Sequence, residues 1–275
     1  MPKIAFTGRG NVVLIAGGGK VYTDIAARFV RSERSINDII ASPYDKEIMK
    51  NILDSNHKAA LGFDWFLFGM EGYSRVTETQ MVRKRHASYM IKSGRAELNG
   101  NRSFSVVVPH EIGEFSVQAS RSTDGQHWEE VPLGSEDGIS YGARDLIELT
   151  EIWYNAGARY GIAEEKLRYL KPQATEFKAI VGMNGHALLD FFAVRCCNNA
   201  QAEIRDMADK MLHLVRHEVP DMFVNAGASC VQLGYCPEGK RQCARKRHIV
   251  YTKDEMSAIL RANPKHKSAE VSDGK

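Results

Sequence analysis

Six cations are crowded into one stretch of this chain, SRVTETQMVRKRHASYMIKSGR, which runs from Ser74 to Arg95. They are Arg75, Arg83, Lys84, Arg85, Lys92 and Arg95, and they alternate with Ser88, Tyr89, Ser93 and Gly94. Guanidinium and ammonium groups beside hydroxyls, with a glycine that lets backbone come close, are suited to holding an anion, above all a phosphate. Ser74 stands where a helix cap is wanted, with Thr77 and Glu78 in the turn that follows. Gln80 and Arg83 are three apart and share a helical face with Val76. After Arg85 the helical spacing decays, and Lys92-Ser93-Gly94-Arg95 reads as a loop. A solvated basic helix end would present the same charges, and charge alone does not separate the two readings.

The chain has 275 residues and a net charge of only +3, so any basic site is local. It contains no run of eighteen apolar residues, and Met1 to Gly10 lacks the apolar core of a signal peptide; a cytoplasmic protein is the expectation. The five cysteines are odd in number and include the adjacent Cys196 and Cys197, which argues against a disulfide framework.

The opening residues, IAFTG followed by NVVLIAGGGKVYT, read as strand, glycine turn, strand. Gly17-Gly18-Gly19-Lys20 is not a phosphate loop, because no glycine stands five before Gly19 and Val21 replaces the Ser or Thr that would meet a metal. Ser42-Pro43 starts a helix with Asp45 and Glu47 in its first turn and Ile48, Ile52 and Leu53 as its stripe. Phe63 to Gly72 reads as a strand buried on both faces that delivers the chain to Ser74. Strands are also expected over 103–108, 115–120 and Thr175 to Met183, with a loop from Thr123 to Tyr141. Helices follow from Arg144 to Arg159 and from Ile162 to just before Pro172. Asn184 is a candidate cap for one carrying Leu188, Phe191 and Phe192, and Asn199 for one carrying Ile204, Met207 and Met211.

At this point two blocks carry a resemblance. Ser74, Arg75, Gln80, Arg83, Arg85, Ser88, Ser93 and Arg95 fall in register with the signature of flavin-dependent thymidylate synthases, S-R-x4-Q-x2-R-H-R-x2-S-x4-S-x-R. Arg168-Tyr169-Leu170-Lys171-Pro172 is similar to the family's R-x-L-P segment, with one extra residue. Asn184 to Arg205 (NGHALLDFFAVRCCNNAQAEIR) resembles its N-x-R-x-L-x-x-F-x-x-x-R-x4-AQ-x-EIR block, and CVQLGYCPEGKRQC resembles a C-terminal extension of some bacterial members. The resemblance implies an α/β (α+β) fold, a mixed or antiparallel central sheet flanked by helices. It sets the family-like domain at 1–227, a cysteine- and base-rich extension at 228–262, and a disordered tail at 263–275.

It also implies a homotetramer with shared active sites that binds FAD and reduces it with NADPH. A methylene group then passes from methylenetetrahydrofolate to C5 of dUMP with no protein nucleophile. By this resemblance Gln80, Arg83, Ser93, Gly94, Arg95 and Arg168 hold the nucleotide. Arg195 faces the pyrimidine and is the catalytic cation, stabilising charge on the ring; the competing reading is a helix-end arginine that balances the dipole. Arg83, Lys84, Arg85, Ile91, Asn184, His186 and Asp190 fall at the flavin.

The departures lie mostly on the flavin side. Lys84 replaces the histidine of the Arg-His-Arg triplet, Ile91 a Glu or Gln, Met90 a small or polar residue and Ala96 a Tyr. His186 replaces an arginine and Asp190 an Asn or His. Lysine still offers a point charge to an anionic reduced flavin, whereas Ile91 accepts no hydrogen bond. These changes leave open the same chemistry on UMP or dCMP, ending in a methyl or hydroxymethyl group. A nucleotide- or nucleic-acid-binding protein without catalysis is a third reading; low net charge and the joint presence of Arg83, Arg95, Arg168 and Arg195 oppose it, so no nucleic-acid or membrane partner is expected. Cys230, Cys236 and Cys243 are spaced wider than zinc pairs, and no metal is expected. His57 reads as an exposed helix-end histidine.

Overall fold

The computed structural model describes residues 2–18, 21–55, 57–93 and 103–243, and the backbone of 251–252. The chain opens with β1 (Lys3–Phe6) and β2 (Asn11–Ala16), followed by α1 (Tyr22–Phe29), α2 (Ile36–Ala41) and α3 (Lys46–Asp54). A 3-10 turn, Lys58–Phe63, leads to β3 (Trp65–Ser74), α4 (Arg75–Met81) and β4 (Ala87–Ile91). Next come β5 (Ser105–Val108), α5 (His110–Glu114), β6 (Ser116–Arg121), β7 (Trp128–Glu130), β8 (Ile139–Gly142), α6 (Ala143–Arg159) and α7 (Glu164–Leu167). The chain closes with β9 (Glu176–Asn184), α8 (Gly185–Arg195), α9 (Ala202–Glu218), α10 (Pro220–Phe223), α11 (Ser229–Leu233), β10 (Tyr235–Cys236) and β11 (Tyr251–Thr252). A four-stranded sheet has the order β2-β3-β9-β4, and strand pairing elsewhere is both parallel and antiparallel, so the α/β expectation holds.

Several elements differ from the sequence pattern. No strand follows the glycine turn, because Tyr22 begins α1: the Asp64 carboxylate accepts from the backbone N–H of Tyr22 at 2.8 Å and of Thr23 at 3.0 Å, as a cap would. The helix expected at Ser42-Pro43 starts at Lys46, where the Asp45 side chain accepts from Glu47 N at 2.9 Å. β3 is not buried on both faces: Phe66, Phe68 and Met70 are buried, whereas Trp65 is exposed and Leu67 half-buried. The expected loop from Thr123 to Tyr141 contains β7 and enters β8. Asn199 caps nothing; Gln201 precedes α9, and the Asn199 amide donates to Arg241 O at 2.8 Å.

Contacts group the chain into two interleaved units, 1–11 with 69–83 and 89–180, and 12–68 with 84–88 and 181–275. In the first, β1 pairs parallel with β5, and the antiparallel sheet β7-β6-β8 is separate. Its core joins Phe104, Val106, Ile147, Tyr154 and Leu167, with Phe104 meeting Tyr154 edge-on at 5.4 Å. The second unit is built around α8 and α9. Asn184 caps α8 by accepting from Ala187 N at 2.8 Å, and the helix buries Leu188, Phe191 and Phe192. α9 buries Ile204, Met207, Met211 and Val215, a 3.6-residue stripe. Gly185 permits this packing, since a Cβ there would lie 2.7 Å from the Met222 sulfur and 3.0 Å from Leu61 O.

Candidate functional site: a cationic cleft and a Lys–Asp–His cluster

The basic segment does not form one long helix. α4 ends at Met81, so Arg83 lies beyond it in the turn, and the stretch read as decaying helix becomes strand β4. Alternation explains this: in 87–91 half-buried Ala87, Tyr89 and Ile91 alternate with exposed Ser88 and Met90, a period of two. Ser74 occupies the cap position of α4 without a side-chain capping bond. Tyr89 donates its hydroxyl to Met81 O at 2.9 Å, and burial pushes its pKa up to about 12.

In the first unit a cleft of about 230 Å³ is lined by Arg75, Lys92, Ser93, Arg168, Lys171 and Gln173, with Glu78 and Glu176 among them. The strands and helices around it bring Ser93 and Arg168 onto one concavity. Arg168 is exposed on a 3-10 turn, Arg168–Leu170, directly after α7, and Ser93 is exposed just past β4. Lys171, the extra residue of the R-x-L-P segment, holds its ammonium 5.3 Å from the Phe104 ring and 5.6 Å from the Tyr154 ring. Glu176 is committed to the protein, accepting from Gly72 N at 3.1 Å and Ser105 Oγ at 2.7 Å. The lining is therefore rich in donors, and both of its carboxylates are already engaged by protein donors, Glu78 by Arg75. Such a cleft can take a phosphate and an adjoining polar group.

In the second unit the Lys84 ammonium lies 2.8 Å from Asp190 Oδ2, and His186 Nε2 is 3.9 Å from the same oxygen. His186 and Asp190 are one turn apart on α8, so they share a face by construction. Lys84 is mostly covered, its side chain 17% exposed, whereas Asp190 and His186 are about half exposed. Asn184 sits at the N-terminus of the same helix and Arg195 at its last residue, half-buried. Arg85 is exposed. A helix N-terminus flanked by a cation and amide donors suits an anionic or carbonyl-bearing group.

Known proteins resemble this chain over most of its length. The family model described as thymidylate synthase complementing protein matches residues 19–221. A flavin-dependent thymidylate synthase from Nitratidesulfovibrio vulgaris is 40% identical over 196 residues, covering 71% of this chain and 74% of that protein. Another, from Geobacter sulfurreducens, is 33% identical over 236 residues, covering 86% of this chain and 90% of that one. This chain belongs to the flavin-dependent thymidylate synthase family. The solved structure of the UMP/dUMP methylase PolB from Streptomyces cacaoi, bound with 5-Br dUMP, superposes with a TM-score of 0.59 at 17% identity, covering 80% of this chain and 95% of that one. It supports the fold.

Within this flavin-dependent thymidylate synthase family member, the residues expected at the nucleotide and flavin divide between the units. Gln80, Arg83, Ile91, Ser93 and Arg168 belong to the first, and Lys84, Arg85, Asn184, His186, Asp190 and Arg195 to the second. Gly94 and Arg95 lie outside the described residues. Gln80 and Arg83 do not line the 230 Å³ cleft, whereas Ser93 and Arg168 do. The pattern gave no sign of Glu78 as a cleft residue, although it stands three after Arg75, the helical spacing of an ion pair. Nor did it pair Lys84 with Asp190, which are 106 residues apart. The described part of the 228–262 segment packs through α11, where Ser229 Oγ donates to Ala193 O at 3.0 Å and Gln232 Nε2 to Leu189 O at 2.7 Å. Among the described residues no group of three His, Cys, Asp or Glu is placed to hold a metal, and no helix is long and apolar enough to cross a membrane.

Proposed function

We propose that this protein is a flavin-dependent thymidylate synthase that converts dUMP to dTMP. What supports the reading most is that Ser93 and Arg168, from separate sequence blocks, line one cationic cleft in a chain of this family. The donors of Ser93, Gly94, Arg95 and Arg168 take the 5′-phosphate, with Gln80 and Arg83 on the sugar and base. Forked guanidinium donors fit phosphate oxygens in pairs, so they fix orientation as well as charge. Arg195 offers a fixed cation to the pyrimidine carbonyl as negative charge builds on the ring, and a cation already in place needs no reorganisation at that moment.

The donor set on the second unit fits FAD. Lys84, Arg85, Asn184 and His186 supply cations and amide donors near the start of an eleven-residue helix, and Asp190 holds Lys84. Arg83 and Ile91 are assigned to the same cofactor, Ile91 by packing alone. When bound, the flavin supplies the hydride that completes the methyl group. NADPH is the reductant and methylenetetrahydrofolate the carbon donor; the methylene carbon joins C5 and the C5 proton is lost. No cysteine is required on the pyrimidine. The catalytic domain is 1–227 with 228–262 as an extension, and the protein works in the cytoplasm as a homotetramer with shared sites.

Equilibrium binding of dUMP, UMP, dCMP and dTMP to the FAD-loaded protein, followed by turnover with methylenetetrahydrofolate and NADPH, tests this. Tight dUMP binding with dTMP formed is the expected result. Preference for UMP or dCMP with a methylated or hydroxymethylated product would replace the acceptor, and a protein that binds no flavin would overturn the reading.

A further inference from the structure

Arg75 lines the cationic cleft, yet its guanidinium is spent on the protein. One nitrogen pairs with the Glu78 carboxylate, three residues on along α4. The other donates to the carbonyl of Lys92 at 2.9 Å, and the backbone N–H of Arg75 donates to Thr175 O at 3.0 Å. Lys92 is gripped from its other side too, its N–H donating to Lys178 O at 2.8 Å. The chain is thus pinned at the residue before Ser93. In a trans peptide the carbonyl of Lys92 and the N–H of Ser93 belong to one plane and point in opposite directions. Fixing the first fixes the second.

We infer that Arg75 is a positioning residue for the anion-binding rim of the cleft, acting through the Lys92–Ser93 peptide rather than on the ligand; this rests on the nucleotide reading above. Glu78 sets the guanidinium and balances its charge, so that Arg75 orders the rim without itself drawing the anion away from Ser93 and Arg168. The fork is essential. A single ammonium cannot span the Glu78 carboxylate and the Lys92 carbonyl with the same directed pair of bonds.

The test uses the full-length, FAD-loaded protein and the variants Arg75→Gln, Arg75→Lys and Glu78→Gln. Binding of dUMP and of inorganic phosphate is read beside flavin content, thermal stability and amide hydrogen exchange at Lys92 and Ser93. Both Arg75 variants should bind dUMP and phosphate about tenfold more weakly and exchange faster at Ser93, with flavin content held. Arg75→Lys retaining wild-type affinity would show that only charge matters, and would overturn the inference. So would Glu78→Gln binding dUMP more tightly, since that is the behaviour of an arginine released to act as a direct ligand. Should Arg75→Gln fail to fold, the Arg75→Lys and Glu78→Gln arms still decide. A wild-type protein that prefers UMP or dCMP revises the acceptor, and the same series with that nucleotide decides the role of Arg75.

Discussion

The two candidate sites handle their cations in different ways. In the cleft of the first unit, Arg75 is bound to a carboxylate and a carbonyl while Arg168 stands exposed at the rim, so the protein-bound cation and the exposed one are separate residues. In the second unit, Lys84 is a mostly covered cation and the partner of the half-exposed Asp190 of α8, with His186 beside the same oxygen. The first arrangement commits Arg75 to protein acceptors at the rim of the cleft. The second sets one carboxylate against two side chains, Lys84 at 2.8 Å and His186 at 3.9 Å. Of the departures that the resemblance marks, Lys84, His186 and Asp190 fall in the second unit and Ile91 in the first, which also holds Ser93 and Arg168.

The sharpest challenge to this contrast is Arg195→Ala. If Arg195 stabilises charge on the pyrimidine, kcat for dTMP formation should fall ~10²–10³-fold with dUMP affinity changed far less; an equal loss in both would make it a plain binding residue. Arg168→Ala comes next. Losing a charge-assisted bond at the rim should weaken dUMP by about 10- to 100-fold and leave flavin content unaltered. Lys84→Met should do the converse, weakening FAD by about tenfold while nucleotide binding holds, and Asp190→Asn should cost less than about 1 kcal/mol of stability because the pair is partly exposed. Equal effects of Lys84→Met on both ligands would erase the distinction between the two regions.

The smallest effect is a pH dependence. Burial raises the Tyr89 phenol to about 12, above its unfolded value, so its contribution to stability is fully present below the unfolded pKa and is lost as pH rises through the folded one. Thermal unfolding of wild type and Tyr89→Phe should therefore converge between about pH 10 and 12. Parallel curves across that window would show that the hydroxyl does not link β4 to α4 energetically.

Much of the second half was legible because its helices are long and strongly patterned: Leu188, Phe191 and Phe192 announce α8, and Ile204, Met207 and Met211 announce α9. Part of the cleft was legible through the resemblance, which brought Ser93 and Arg168 together, and they line one concavity. The site was not legible where chemistry depends on a partner. Asp64 capping α1 from 41 residues away overrode the strand propensity of KVYT. Asp190 answering Lys84, and Lys92 answering Arg75, are tertiary pairings that no local spacing encodes. β4 was hidden because five residues of alternation are outweighed by the helix-like run of bases before them.

The interleaving of the two units has a genetic consequence. The chain passes from one to the other at Asn11–Val12, Phe68–Gly69, Arg83–Lys84, Ser88–Tyr89 and Ile180–Val181. No single recombination breakpoint can therefore swap one unit intact between homologous genes. A chimera joined at Arg83–Lys84 inherits Arg83 from one parent and Lys84 and Tyr89 from the other. Exchange by several small substitutions is the route such a gene leaves open.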